Sequence, residues 1–121
     1  MHESGEMYLE TILVLGKKKN TVRAVDVAED LGYSKASVSR ALARLKTDGC
    51  IIVDTDGFIA LTEKGRQIAE KIYERHIVLS KMLMALGVDE QTALADACKM
   101  EHDLSDVTFA AIKKHFYKEI E

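Results

Sequence analysis

The most informative segment of the chain is Ser34-Lys35-Ala36-Ser37-Val38-Ser39-Arg40-Ala41-Leu42-Ala43-Arg44-Leu45-Lys46. Its apolar residues recur every three or four positions, which is the spacing of a helix with one buried face. Serine is a favoured N-cap, so this helix is expected to begin directly after Ser34. The segment holds four basic residues and no acidic residue. It therefore predicts an amphipathic helix whose exposed face is basic.

The neighbouring residues complete a known structural motif. Residues 25–31 carry apolar side chains at helical spacing and predict a short helix that ends at Gly32. Residues 51–53 and 58–61 are rich in β-branched and apolar side chains and flank the turn pair Asp56-Gly57, a pattern typical of a β-hairpin. Two helices joined by a glycine turn and followed by a hairpin are the order of a winged helix-turn-helix.

The basic helix has the chemistry of a DNA recognition helix. Its expected DNA-contacting residues are Ser34, Lys35, Ala36, Ser37, Ser39, Arg40 and Arg44. The small residues among them allow close approach to bases and phosphates, and the fork of Arg40 matches the O6 and N7 atoms of guanine. Lys35 and Arg44 are expected to contact phosphate. A basic helix alone is more often a solvated surface, but the surrounding motif favours DNA.

The remaining sequence predicts further helices. Residues 6–15 form one that Gly16 ends, Thr62 caps a long one that runs to Leu86, and residues 89–100 and 104–120 form two more. The apolar side of the last helix is predicted to contain Val107, Ala110, Ala111 and Phe116. We therefore expect a mainly α fold, with a winged helix-turn-helix domain over residues 1–66 and a helical domain over residues 67–121.

The charge of the whole chain is acidic, with 17 lysines and arginines, 20 aspartates and glutamates and a net charge of −3. Nucleic-acid-binding domains are usually basic, so this total by itself argues against DNA. However, residues 1–66 hold ten basic and ten acidic residues, whereas residues 67–121 hold seven and ten. The acidic surplus lies outside the predicted DNA-binding domain and does not exclude DNA.

Composition also indicates the cellular compartment. Cys50 and Cys98 are too few cysteines for a disulfide framework, which favours a reducing cytoplasm. Apolar runs such as Ile12 to Leu15 are far shorter than the ~20 residues of a membrane span. The first residues lack the basic and apolar segments of a signal peptide. We expect a cytoplasmic protein with no membrane partner.

A possible metal site lies near residue 100. Cys98, Glu101 and His102 are spaced i, i+3 and i+4, which places them on one helical face. A thiolate, a carboxylate and an imidazole suit a divalent transition metal, and spacing alone does not choose among iron, cobalt, nickel and zinc. The pair Met7 and Glu10, or His76, could complete the ligand shell. Taken singly, such residues are more often structural than metal-binding.

Several segments of the chain are similar to those of a known family of metal-dependent repressors, which includes the diphtheria toxin repressor and the manganese transport regulator. The similarity runs from Glu6 to about Phe116. The most specific segments are residues 6–10, 34–39, 48–49, 61–66, 75–76 and 98–105. The resemblance implies that residues 67–121 form a dimerisation and metal-binding domain, with the dimer interface on the helices after Gly87. It also implies a short form of the family, without the SH3-like domain of larger members.

The resemblance further implies a regulatory metal site made of Met7, Cys98, Glu101 and His102. Met and Cys at the first two positions follow the iron-responsive branch, whereas the manganese branch carries Asp and Glu there. Because sulfur ligands suit Fe²⁺ better than Mn²⁺, the expected cofactor is Fe²⁺, with Mn²⁺, Co²⁺, Ni²⁺ and Zn²⁺ as alternatives.

A second metal site of the family is matched only in part. Glu10 and His76 are present, and Glu101 could bridge the two sites. Ser80 stands where a carboxylate is usual, and Leu94 stands where iron-type repressors often have histidine.

Together these features predict a metal-activated transcriptional repressor that binds a palindromic operator as a homodimer and controls metal-homeostasis genes. One alternative is a winged-helix regulator controlled by an organic ligand, or by oxidation of the Cys98 thiol, without metal. A metal-dependent hydrolase with Glu101 as its base is disfavoured because the chain has no His-Glu-x-x-His motif. The chain is therefore expected not to be an enzyme.

Overall fold

Helices make up most of the computed structural model, which describes residues 3–120 and the side chains of residues 4–116. The elements in order are α1 Glu3–Lys18, α2 Ala24–Leu31, α3 Lys35–Thr47, β1 Ile51–Val53, β2 Ile59–Leu61, α4 Glu63–Ala85, α5 Glu90–Met100 and α6 Asp106–Ile120. They form two compact units, Met1–Glu70 and Lys71–Glu121. The predicted mainly α, winged helix-turn-helix fold is confirmed, while the functional boundary predicted after residue 66 stays a prediction.

The turn between α2 and α3 follows the predicted glycine and serine signals. Gly32 has a φ of 70°, the left-handed conformation that glycine adopts without steric cost, and its N–H donates to the Ala28 carbonyl. Ser34 is the N-cap of α3, and its hydroxyl accepts a hydrogen bond of 3.2 Å from the Ser37 N–H. These two caps fix where α2 ends and where the basic helix begins.

The core of the first unit forms where α1, α2, α3 and the hairpin pack together. Leu9, Val27 and Val38 are completely buried in it. Val25 is 44% exposed, because in α2 it lies on the opposite side from Val27 and the half-buried Leu31. The predicted end of α1 at Gly16 is wrong by two residues, since the helix continues to Lys18.

The predicted hairpin is confirmed as an antiparallel pair. Ile51 pairs with Leu61, and Val53 pairs with Ile59. The Asp54 carboxylate accepts hydrogen bonds of 2.9 Å from the N–H groups of residues 56 and 58, which holds the loop closed. The Ile59 N–H also donates to the carbonyl of Val22 just before α2, at 2.8 Å, so the hairpin is attached to the helix-turn-helix.

The core of the second unit lies between α4, α5 and α6. Leu79, Met82 and Ala97 are buried there, with half-buried residues of the α5–α6 region packed around them. The predicted apolar side of α6 is wrong for Val107, Ala110 and Ala111, which are exposed. The side chains that face inward on α6 are Phe109, Ile112 and Phe116.

The correction has a geometric reason. Residues 109, 112 and 116 are spaced i, i+3 and i+7 and therefore form one continuous stripe along a helix. Val107 precedes Phe109 by two residues, so it lies on the opposite side of α6 from that stripe, and it is 81% exposed. Among the described residues, no helix is long and apolar enough to cross a membrane.

Candidate metal centre and nucleic-acid interface

Three metal-ligating side chains converge in the second unit. His76 lies in the middle of α4, Cys98 lies in the last turn of α5, and Glu101 is the C-cap of α5. The Nδ1 atom of His76 is 2.9 Å from Oε2 of Glu101 and 3.8 Å from Sγ of Cys98. One ligand atom from each of the three residues lies within 4.8 Å of the other two. This is close enough for one ion to contact all three.

The Glu101 carboxylate is the centre of this cluster. Its side chain is 1% exposed, and its second oxygen, Oε1, lies 3.4 Å from Nε2 of His102, whose side chain is 4% exposed. Each carboxylate oxygen therefore faces an imidazole. A buried carboxylate needs a compensating positive charge or several hydrogen bonds, because desolvation of the ion is costly. A bound cation would supply that charge.

The donor set fits a divalent transition metal. Thiolate, imidazole and carboxylate are the ligands that Fe²⁺, Co²⁺ and Zn²⁺ accept together. Cys98 is exposed, so the thiol side of the cluster is open to an incoming ion, whereas Glu101 forms the buried side. Because a ligating thiol must lose its proton, metal binding here would release a proton and would be favoured at higher pH.

Two of the other predicted ligands belong to the first unit. Met7 and Glu10 lie on α1 in the first unit, where the Tyr33 hydroxyl is 4.0 Å from the Met7 sulfur and Glu10 is half-buried. Their assignment as ligands stays a prediction. Ser80 lies one turn after His76 and has no carboxylate to offer a metal. It is buried, and its hydroxyl donates to the Ile77 carbonyl at 3.1 Å.

Arg75 enters the sequence analysis only as part of the segment 75–76, and the structure gives it a role that the sequence does not predict. It is 4% exposed, and its guanidinium donates to the backbone carbonyls of Glu101, at 3.1 Å, and Leu104, at 2.6 Å. It also donates to the Asp106 carboxylate at 2.6 Å. Its spacing could have indicated that it is buried, because Arg75 stands three residues after the buried Ile72 and so lies on the same side of α4.

The electrostatics around Asp106 agree with this arrangement. The Lys71 ammonium, and after it the Arg75 guanidinium, hold the pKa of the Asp106 carboxyl below its ordinary value. A lowered pKa in the folded state means that the interaction stabilises the fold above the ordinary pKa and is lost as the pH falls. Asp106 is 73% exposed, so solvent screening keeps this contribution small.

The predicted DNA-contacting residues lie together on the outer face of α3. Val38, Leu42 and Leu45 are buried against the first unit. The opposite face presents Lys35, Ala36, Ser39, Arg40 and Arg44 as exposed residues, with Ser34 at the exposed N-cap and Ser37 half-buried. The Arg40 guanidinium reaches back to the Ser37 hydroxyl at 3.5 Å. The face is basic and free of acidic side chains, as the sequence predicts.

The sequence analysis does not identify the contact that Arg23 makes in the first unit. The guanidinium of Arg23 lies 4.4 Å from the ring centroid of Phe58, which belongs to the hairpin. This cation–π contact joins the segment before α2 to the loop of the hairpin. No local sequence pattern pairs Arg23 with Phe58, because only the fold brings these two residues together.

Two family models match successive parts of the chain. A family model described as iron dependent repressor, N-terminal DNA binding domain, matches residues 1–57. A second model, described as iron dependent repressor, metal binding and dimerisation domain, matches residues 62–118. The first match contains α3 and β1, and the second contains the His76–Cys98–Glu101 cluster.

Individual relatives agree with these matches. The transcriptional regulator MntR of Escherichia coli O6:H1 is 36% identical over 106 residues, which cover 88% of this chain and 68% of that protein. The HTH-type transcriptional regulator MntR of Bacillus subtilis is 34% identical over 102 residues, which cover 84% of this chain and 72% of that protein. These relatives are transcriptional regulators, which agrees with the prediction of a regulator rather than an enzyme.

Two solved structures are also similar. The manganese regulator SloR matches with a TM-score of 0.83 at 25% identity, over 93% of this chain and 53% of SloR. A manganese-dependent transcriptional repressor in complex with manganese matches with a TM-score of 0.84 at 26% identity, over 92% of this chain and 51% of that chain. This chain thus spans about half the length of these solved chains.

Proposed function

This chain belongs to the iron-dependent repressor family of metal-dependent transcriptional regulators, and we propose that it is a repressor activated by Fe²⁺ that binds a palindromic operator as a homodimer. The observation that carries the proposal is the cluster of His76, Cys98 and Glu101 in the part of the chain that matches a metal-binding and dimerisation domain. The basic face of α3 supports DNA as the other ligand.

The choice of Fe²⁺ rests on Cys98. Two similar solved structures carry manganese in their descriptions, yet Mn²⁺ prefers carboxylate and other oxygen ligands. A thiolate beside an imidazole and a carboxylate is a softer donor set, which favours Fe²⁺. Co²⁺ is the practical substitute in experiments because it accepts the same ligands.

The proposed switch is a shift between conformers of the dimer. Two recognition helices must lie about 34–36 Å apart to enter successive major grooves of one operator. Metal can favour that conformer only by its higher affinity for it, and a hundredfold preference corresponds to about 2.7 kcal/mol. The family resemblance adds Met7 and Glu10 to the ligands, and their helix α1 packs on α2 and α3 within the first unit. Ligation of these residues would therefore act on α1, which contacts the recognition helix α3.

Metal-dependent DNA binding tests the proposal directly. Duplexes are first selected from a randomised library with Fe²⁺ present under anaerobic, reducing conditions. Fluorescence anisotropy on the selected duplex is then expected to show roughly hundredfold tighter binding with Fe²⁺ or Co²⁺ than with chelator. Equal affinity with and without metal would contradict the switch. Binding that responds to peroxide and not to metal would favour control by thiol oxidation.

The recognition helix gives a separate prediction. Arg40→Ala is expected to weaken specific binding by about 1–3 kcal/mol, roughly 5- to 150-fold, and to relax the preference at one base pair. Arg44→Ala is expected to weaken all sequences alike and to lower the salt dependence by about one phosphate contact. Both are measured by anisotropy on the selected duplex and on single-base variants at several salt concentrations.

The matched control is Lys81→Ala, which removes one exposed positive charge from the second unit. It is expected to leave the base preference unchanged. If Arg40→Ala and Lys81→Ala had the same effect on every duplex, α3 would not be the helix that reads the operator.

A further inference from the structure

We infer that Arg75 is a positioning residue for the metal centre, which fixes the backbone that carries Glu101 without itself contacting the ion. This inference rests on the proposed metal-binding function of the His76–Cys98–Glu101 cluster. It assigns to Arg75 a part in metal affinity.

The contacts of Arg75 cross-link both ends of the connection between α5 and α6. One guanidinium nitrogen, Nη1, donates to the Glu101 carbonyl at the end of α5 and to the Leu104 carbonyl two residues before the start of α6. The other, Nη2, donates to the carboxylate of Asp106, the first residue of α6. The connection begins with Glu101, so its conformation sets where the Glu101 side chain can point.

The guanidinium also satisfies acceptors that the helix leaves open. The carbonyls of the last turn of a helix have no partner within it, and a cation near a helix C-terminus is electrostatically favourable. Arg75 is buried and packs its guanidinium 5.3 Å from the ring centroid of Phe109. A planar, buried fork with several fixed partners is a rigid support, in contrast to an exposed and mobile ion pair.

Arg75 and His76 are consecutive residues that hold Glu101 at two different points. Arg75 binds its backbone carbonyl, and His76 binds its carboxylate at 2.9 Å. Metal ligands must be held close to their productive geometry, and groups that orient ligands typically contribute a factor of about 10–100 in metal affinity. Arg75 therefore fixes the backbone from which the Glu101 side chain extends, and His76 fixes the carboxylate at its end.

The test compares Arg75→Lys with Lys71→Gln. Lysine keeps the charge and the aliphatic stem but cannot bridge two carbonyls and a carboxylate with a planar fork. Lys71 lies one turn earlier on α4 and also pairs with Asp106, at 2.7 Å. The metal affinity is measured by anaerobic titration with Co²⁺. The titration is monitored through the visible absorption of Co²⁺ and the charge-transfer band of the Cys98 thiolate. Urea unfolding of the metal-free proteins identifies conditions in which each variant is folded.

Arg75→Lys is expected to weaken Co²⁺ binding by about 10- to 100-fold under conditions where the metal-free variant is folded, and Lys71→Gln by less than about twofold. In a Glu101→Gln background, Arg75→Lys is expected to have little further effect on affinity, since it acts through Glu101. Wild-type affinity in Arg75→Lys, or an undiminished loss in the Glu101→Gln background, would overturn the inference. Failure of the wild-type protein to bind Co²⁺ would instead overturn the proposed metal site, and this inference with it.

Discussion

Replacing Cys98 with alanine is expected to weaken Fe²⁺ and Co²⁺ binding by at least about 100-fold and to abolish metal-dependent DNA binding. The change removes a ligand atom outright, so the loss should equal or exceed the factor of about 10–100 found for groups that only orient a ligand. Cys98 is exposed, and its removal leaves no cavity in the core. The metal-free variant should therefore unfold at the same urea concentration as the wild-type protein.

The measurement is the Co²⁺ titration in parallel with DNA anisotropy. The matched control is Asp96→Ala, which removes an exposed carboxylate from the same helix two positions earlier. The charge-transfer band from thiolate to Co²⁺ is expected in the wild-type protein and in the Asp96 variant, and not in the Cys98 variant. An unchanged band and affinity after Cys98→Ala would exclude this thiol as a ligand.

The sequence predicts those features of the fold that depend on local signals. Ser34 and Gly32 mark helix ends because a capping hydroxyl and a left-handed glycine each act within a few residues. The same holds for the Asp56-Gly57 turn and for the period of the apolar stripe on α3. The i, i+3, i+4 spacing of Cys98, Glu101 and His102 is also local, and it predicts a shared helical face, although α5 ends at Met100 and Glu101 is its C-cap.

Features that depend on tertiary contacts were not predictable in this way. The alanines and Val107 of α6 give a plausible apolar face, but the packing partner on α4 and α5 selects the stripe of Phe109, Ile112 and Phe116 instead. Arg75 carries a charge at a position where the periodicity alone suggests an apolar side chain. Its partners lie 26 to 31 residues away, and only the fold brings them together.

Gly65 is another residue whose importance comes from a distant contact. It lies in the first turn of α4, where a glycine would be expected only to weaken the helix slightly. A Cβ atom added there would overlap the backbone carbonyl oxygen of Cys50 and lie 2.9 Å from its carbon. The same junction is closed by hydrogen bonds from Thr62, whose N–H donates to the Cys50 carbonyl and whose hydroxyl donates to the Gly49 carbonyl. The start of α4 is therefore held directly against the backbone between α3 and β1.

Gly65→Ala is accordingly expected to destabilise the protein by about 3 kcal/mol, at the upper end of the range for overpacking, because the obstructing atoms are backbone and cannot rotate away. Gly16→Ala is the matched control. Gly16 also lies within a helix, and a Cβ atom there would meet nothing within 4 Å. That substitution is expected to stabilise the protein by up to about 1 kcal/mol through helix propensity. Urea unfolding followed by circular dichroism measures both, and equal stability of the two variants would show that α4 can move off Cys50 without cost.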